Sequence, residues 1–109
     1  MNDLIKENID HIVSLCEKYK VRRLYAFGSI TKASFSEKLS DIDLFVELMP
    51  MSYMERGEVL IDLWDQLESL FLRPVDLITD QPLSNPYFKS ELERTKKLIY
   101  DREKQEIFI

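Results

Sequence analysis

Residues 41–48 of this chain are Asp-Ile-Asp-Leu-Phe-Val-Glu-Leu, and they decide its fold. Apolar and acidic side chains alternate along the stretch, which is typical of a β-strand with one face in the core. The apolar face would consist of Ile42, Leu44, Val46 and Leu48. The other face begins with two carboxylates, Asp41 and Asp43, which leave the strand on the same side. Because neighbouring carboxylates repel each other, the pair predicts either open water or a bound cation between them.

A second apolar stretch carries one more acid. Residues 75–79, Val-Asp-Leu-Ile-Thr, predict a short strand in which Asp76 stands between apolar neighbours. An acid in such a strand is costly unless it faces water, a partner or a metal. If the two strands are adjacent, Asp76 joins Asp41 and Asp43 around two divalent ions, Mg²⁺ or Mn²⁺, which prefer oxygen ligands. We therefore predict that these three aspartates are both the metal ligands and the catalytic residues.

A glycine–serine pair precedes both acidic stretches. Residues 21–27 predict a strand that ends at Gly28, where the missing side chain allows a ligand to approach the backbone. Ser29 follows in a turn, placing N–H groups and a hydroxyl where they would hold phosphates at the start of a short helix over residues 30–34. Lys32 adds a cation. We predict that Gly28, Ser29 and Lys32 bind the nucleotide.

Three longer stretches predict the helices that cover the sheet. Apolar residues recur at three- and four-residue steps in residues 2–19 and 52–71. In the second of these stretches the whole apolar stripe is expected in the core, with Trp64 and Phe71 included. Residues 87–104 predict a charged final helix with a solvated face. The order of elements indicates an α/β (α+β) domain, a small mixed sheet packed against helices.

Length and charge narrow the class of protein. A chain of 109 residues fits a single domain over residues 1–109. The 20 acidic residues against 15 basic ones give a formal charge of −5, which argues against direct nucleic-acid binding and favours a basic partner surface. The single Cys16 excludes an internal disulfide. With no apolar run of the roughly 20 residues that span a bilayer, we expect a cytoplasmic protein without membrane contact.

Three motifs together resemble a known family: Phe27-Gly28-Ser29, then Ser40-Asp41-Ile42-Asp43-Leu44, then Val75-Asp76-Leu77. The combination is similar to the polymerase-beta-type nucleotidyltransferases, and within them to the minimal nucleotidyltransferases, over roughly residues 4–100. The resemblance implies that the Gly-Ser pair binds a triphosphate, that the Asp-x-Asp pair ligates metal and that the third aspartate completes the acidic triad. Many relatives carry an arginine soon after the Gly-Ser pair, where this chain has Lys32, a point charge instead of a planar fork.

The resemblance also implies a function. Family members of this size are often antitoxins of HEPN-domain ribonuclease toxins, and some transfer AMP from ATP to a toxin tyrosine. We therefore expect a metal-dependent transfer of AMP from ATP to a hydroxyl of a HEPN-domain protein encoded nearby. Two alternatives stay open, nucleotidyl transfer to a small molecule such as an aminoglycoside and a non-catalytic antitoxin that acts by binding. A homo-oligomer that builds an acceptor pocket is also left open.

Overall fold

A mixed five-stranded sheet organises the chain. The computed structural model describes residues 3–28, 41–79, 86–103 and 106–107. In chain order the elements are α1 (Asp3–Glu7), α2 (Ile9–Lys18), β1 (Val21–Phe27), β2 (Ile42–Leu48), α3 (Tyr53–Phe71), β3 (Val75–Thr79), α4 (Pro86–Thr95), β4 (Lys97–Asp101) and β5 (Glu106–Ile107). The strand order is β3-β2-β1-β4-β5; β2 and β3 run parallel, and the other neighbours are antiparallel. The expected α/β fold with a small mixed sheet is confirmed.

The main core lies on the apolar face of β2. Its four alternating residues, Ile42, Leu44, Val46 and Leu48, are all buried. Helices α2 and α3 cover this face, with Ile12 and Cys16 from the first and Leu63 and Leu67 from the second in the same cluster. The two helices predicted to back the sheet therefore do so. No helix in the described part of the chain is long and apolar enough to cross a membrane.

The opposite face of the sheet is partly covered as well. Phe27 and Phe45 form a second buried cluster with Leu92 of α4, and Tyr25 and Ile78 pack against it. The face that carries the acids is thus apolar in its middle, because α4 shields that part from water. This second cluster packs on the same face of the sheet as the acidic residues. The acidic residues lie next to it, toward the start of β2 and β3.

The predicted helix over residues 87–104 is wrong beyond Thr95. The helix ends there, and Lys97–Asp101 form β4, which pairs antiparallel with β1. The free edge of β1 needs hydrogen-bond partners, and Ile99 and Tyr100 fill the main core. The solvated face is also a wrong expectation here, since Asp101 is buried and accepts a hydrogen bond from Arg23 (3.3 Å).

Two further expectations need correction. The helix predicted over residues 2–19 is two helices, because Asn8 interrupts it and donates its side-chain amide to the carbonyl of Leu4 (2.9 Å). Trp64 does not lie in the core: the residue is 47% exposed, although its Nε1 donates to the carbonyl of Val75 (2.7 Å). The predicted helix over residues 30–34 lies outside the described residues.

Candidate active site

The sheet register brings two of the three predicted aspartates together. Asp43 on β2 is the register partner of Asp76 on β3, so both side chains leave the same face of neighbouring parallel strands. The two carboxyl groups lie close enough for the charge of Asp76 to help raise the pKa of Asp43. On its other side Asp43 faces Phe27, the last residue of β1. Asp43 therefore lies in the middle of three strands, between the end of β1 and the start of β3.

Gly28 closes this arrangement above Asp43. Its φ of +67° is in the left-handed region that favours glycine. A Cβ atom built at this position would lie 2.6 Å from Oδ2 of Asp43, far inside van der Waals contact. The backbone of Gly28 can therefore lie this close to the carboxylate of Asp43 only because glycine has no side chain. This is the close approach expected of a glycine that forms a ligand site.

Thr95, at the end of α4, is a positioning residue that the sequence reasoning missed. Its hydroxyl accepts a hydrogen bond from the N–H of Gly28 (3.2 Å) and donates to the carbonyl of Glu91 (2.8 Å). The side chain is buried, which is unusual for a hydroxyl in a charged helix. A threonine that interrupts the run of charges just before the Leu-Ile-Tyr stretch was the available signal. Through it α4 holds the backbone turn over Asp43.

Thr95→Val tests this link with little change in volume. The valine removes the hydroxyl that accepts from the Gly28 N–H, so we expect a loss of about 1 kcal/mol of unfolding free energy, measured by urea denaturation. Thr95→Ser keeps the hydroxyl and is the matched control. Equal stability of the wild type and the valine variant would contradict a role for this hydrogen bond.

The electrostatics of Asp43 are unusual for an aspartate. Burial, followed by the negative charges of Asp76 and Asp41 and the hydrogen bond with Asp76, raises the pKa of Asp43 from 3.8 to about 6. All of these causes disfavour the charged carboxylate. No positive charge among the described residues is a cause that lowers the pKa of Asp43. Perturbed groups of this kind cluster at functional sites. The arrangement is a place where positive charge would be stabilising.

We expect Asp43→Asn to stabilise the protein in the presence of a chelator at pH 8. The folded state has the higher pKa, so the stability from the protonated carboxyl is present below pH 4 and is lost as pH rises through about 6. After discounting for solvent screening, the gain is on the order of 1 kcal/mol. Thermal unfolding at pH 4, 6 and 8 should show the advantage of the variant growing with pH. A pH-independent difference would contradict this account.

Of the other predicted site residues, the structure describes only Asp41. Asp41 is exposed and two residues from Asp43, and its charge contributes to the raised pKa of Asp43. Among the described residues, no three His, Cys, Asp or Glu side chains form a ready cluster that could hold a metal ion. Ser29 and Lys32 lie outside the described residues. The structure therefore brings together Gly28, Asp43 and Asp76, with Asp41 next to them.

The family of this fold and site is shown by sequence comparison. Residues 10–105 match the model of the family described as "Polymerase beta, Nucleotidyltransferase". The chain belongs to this family and is a nucleotidyltransferase. Its fold is similar to that of a solved structure described as a putative minimal nucleotidyltransferase, with a TM-score of 0.62 at 21% identity, covering 89% of this chain and 95% of that one.

Relatives and solved structures agree with this assignment. "Putative protein adenylyltransferase MJ1379" of Methanocaldococcus jannaschii is 39% identical over 90 residues, which are 83% of this chain and 86% of the relative. A toxin–antitoxin complex with AMP-PNP superposes with a TM-score of 0.63 at 22% identity, covering 89% of this chain and 76% of that one. A tri-AMPylated Shewanella oneidensis HEPN toxin in complex with an MNT antitoxin gives 0.56 at 20% identity, covering 91% and 74%. At these identities the two structures establish the fold alone.

Proposed function

We propose that this chain transfers AMP from ATP to a hydroxyl group of a HEPN-type protein encoded nearby and thereby acts as its antitoxin. The observation that carries the proposal is the contact of Asp43 with Asp76 directly below Gly28, in the sheet of a nucleotidyltransferase. The relative named as a protein adenylyltransferase supports a protein acceptor. The solved complexes of HEPN toxins with related antitoxins support the kind of partner.

The glycine–serine turn is the proposed triphosphate site. Gly28 exposes backbone beside the acids, and Ser29 and Lys32 follow it in sequence with a hydroxyl and a cation. Backbone N–H groups and a lysine are suitable donors to phosphate oxygens. The hydroxyl of Thr95 accepts a hydrogen bond from the N–H of Gly28, so the backbone at Gly28 is oriented before the nucleotide binds. Nucleotide recognition would thus depend on residues around one end of β1.

The carboxylates fit a divalent metal. Asp41, Asp43 and Asp76 supply the oxygen ligands that Mg²⁺ and Mn²⁺ prefer, and the repulsion that raises the pKa of Asp43 is what a cation would relieve. We propose that these three residues hold two such ions, with Asp41 joining the pair by a change of side-chain conformation. Bound there, the ions supply positive charge against the triphosphate oxygens.

Metal binding has a readout that does not depend on activity. We expect Mg²⁺ to raise the melting temperature of the wild type, since it binds the folded protein and removes the repulsion at Asp43. Asp43→Asn should gain little, because one ligand and one charge are lost. Asp10→Asn, an exposed aspartate of α2, is the matched control and should respond as the wild type does. Equal gains in all three proteins would place the ion elsewhere.

The proposed reaction is an in-line displacement at the α-phosphorus of ATP. The acceptor oxygen forms a bond to this phosphorus while the bond to the β-phosphate oxygen breaks and pyrophosphate leaves. The proton of the acceptor hydroxyl passes to the carboxylate of Asp76, which lies on the edge side of the acidic pair. Asp43, between Gly28 and Asp76, would be a metal ligand at the centre of the site, and its carboxylate would hold positive charge beside the reacting phosphate.

Incubation with ATP labelled at the α-phosphate, Mg²⁺ and the protein encoded next to this chain tests the proposal directly. We expect label on the partner, at a hydroxyl-bearing residue identified by mass spectrometry. Asp43→Asn and Asp76→Asn should transfer far less label, and Asp10→Asn again serves as their control. If the wild type neutralises its partner without labelling it, the protein is an antitoxin that acts by binding alone. Label on an aminoglycoside instead of a protein would support the small-molecule alternative.

A further inference from the structure

Helix α3 exposes an apolar stripe that the core does not use. Tyr53, Ile61 and Trp64 are 85%, 65% and 47% exposed. Their spacing of eight and three residues places them on one side of the helix, together with Gly57. Isolated exposed apolar residues are common, but a continuous stripe with a tryptophan marks an interaction surface. The stripe lies beside the buried side of α3, from which Leu63 and Leu67 enter the main core.

The stripe borders a pocket at the edge of the sheet. Leu60, Ile61 and Trp64 of α3 line it on one side, and Leu77 and Thr79 of β3 line it on the other, around a volume of about 110 Å³. A cavity of roughly 150 Å³ accommodates a benzene ring, so this pocket suits one aliphatic side chain. The hydrogen bond from Trp64 Nε1 to the carbonyl of Val75 holds the indole in place. The indole side of the pocket is therefore oriented before any partner arrives.

Acidic residues flank the stripe on the side away from β3. Glu58, Asp62 and Asp65 are exposed and, within the described chain, make no ion pair or side-chain hydrogen bond. Residues 57–72 contain no lysine, arginine or histidine. A second copy of this helix would bring like charges against each other, which disfavours self-association. A partner with basic residues beside an apolar face complements both features.

Gly57 is an independent sign of a close approach from outside. It lies within α3, where glycine destabilises a helix relative to alanine. A Cβ atom built there would meet no atom of the described residues within 4 Å, so nothing in that part of the protein requires the missing side chain. Gly57 is one turn from Ile61 on the same stripe. A glycine at this position allows the backbone of a partner to lie directly on α3.

We infer that the α3–β3 groove, formed by Gly57, Leu60, Ile61, Trp64 and Leu77, binds a basic amphipathic helix of the partner protein. An aliphatic side chain of that helix fills the pocket, and its basic flank faces Glu58, Asp62 and Asp65. This inference rests on the proposed function for the identity of the partner, the protein encoded next to this chain. The docking surface and the Asp43–Asp76 pair are then separate, because they lie on opposite faces of the sheet.

The geometry also links docking with the proposed transfer. Leu77 lines the groove, while Asp76, the preceding residue of the same strand, faces the other side. β3 is the outermost strand of the described sheet, so a partner in the groove contacts the edge strand that carries Asp76 on its other face. A hydroxyl-bearing segment of that partner has only to extend around the sheet edge to reach the Asp43–Asp76 pair.

Calorimetric titration with the neighbour-encoded protein tests the groove. We expect Ile61→Lys, and separately the double variant Asp62→Lys with Asp65→Lys, to weaken binding at least about tenfold. Glu7→Lys with Asp10→Lys, exposed acids of α1 and α2, is the matched control and should bind as the wild type does. Gly57→Ala should raise the melting temperature and still weaken binding. Hydrogen exchange in the complex should be slowed in α3 and β3.

The outcomes separate this inference from the proposed function. Wild-type affinity in the Ile61 and Asp62/Asp65 variants, or no binding by the wild type, would overturn the docking surface whether or not label is transferred. Wild-type protein that sediments as a dimer, and that Ile61→Lys converts to a monomer, would identify a second copy as the occupant and also overturn it. Asp43→Asn should bind the partner normally, so loss of transfer with intact docking concerns the catalytic site alone.

Discussion

Asp43→Asn is expected to lower the rate of AMP transfer by at least about 100- to 1,000-fold, the cost of losing one charge-stabilising group at a reacting phosphate. The carboxylate lies between Gly28 and Asp76, so its replacement removes one charge and one oxygen ligand from the centre of the proposed site. Single-turnover labelling of the partner measures the effect. Asp76→Asn should also slow the chemistry strongly while leaving ATP binding nearly unchanged, because its role concerns the acceptor proton.

Stability makes the Asp43 result interpretable. The same variant is expected to be more stable than the wild type at pH 8 without metal, so loss of transfer cannot be attributed to unfolding. A residue that lowers stability and is needed for the reaction is the usual compromise at an active site. Transfer by Asp43→Asn at the wild-type rate would exclude Asp43 from the catalytic site. Loss of transfer together with loss of partner binding would indicate a structural effect instead.

Gly28→Ala is expected to lower the unfolding free energy by about 1–3 kcal/mol and to impair transfer. The left-handed φ of +67° is strained for alanine, and the added Cβ would lie 2.6 Å from Oδ2 of Asp43. Either the turn or the carboxylate must move, and each displacement alters the proposed triphosphate site. Gly57→Ala is the matched control: it adds the same atom in open space and should stabilise helix α3 by up to about 1 kcal/mol.

A double-mutant cycle separates the two causes of the Gly28 effect. In an Asp43→Ala background the clash with Oδ2 is absent, so Gly28→Ala should cost only the backbone strain, about 1–2 kcal/mol. The difference between the two costs is the coupling between Gly28 and Asp43. Urea denaturation of the four proteins measures it. Equal costs in both backgrounds would show that the carboxylate moves away freely, and the close approach would then have no energetic consequence.

The sequence was sufficient to predict the strands that carry the acids. In residues 41–48 and 75–79 the side chains alternate with a period of two, and this period is a local property of extended backbone. The faces of Asp43 and Asp76 therefore follow from the chain itself. The Gly-Ser pair before the Asp-x-Asp motif was enough to predict the family, which the match over residues 10–105 confirms. The catalytic and metal-binding roles of these residues stay predictions.

Local pattern failed where long-range pairing decides the conformation. The charges in residues 87–104 suit a helix, yet Lys97–Asp101 form a strand because the edge of β1 is available and Ile99 fits the core. The prediction for Trp64 failed for the same reason, because its burial depends on tertiary packing. Its place on an apolar helical stripe predicts burial, but α3 turns it toward the sheet edge, where it is 47% exposed and its N–H donates to the carbonyl of Val75.

The chain by itself determined its family, its α/β class and the strand faces on which its aspartates lie, because these depend on residue types and on the repeat of the backbone. Only the tertiary structure decided that Asp43 pairs with Asp76, that Gly28 lies against Asp43 and that Thr95 holds Gly28. Each of these contacts joins residues 15 to 67 positions apart, and a one-residue change of register would move the side chains to opposite faces. Packing of the two cores selects the register, and packing is a property of the whole fold.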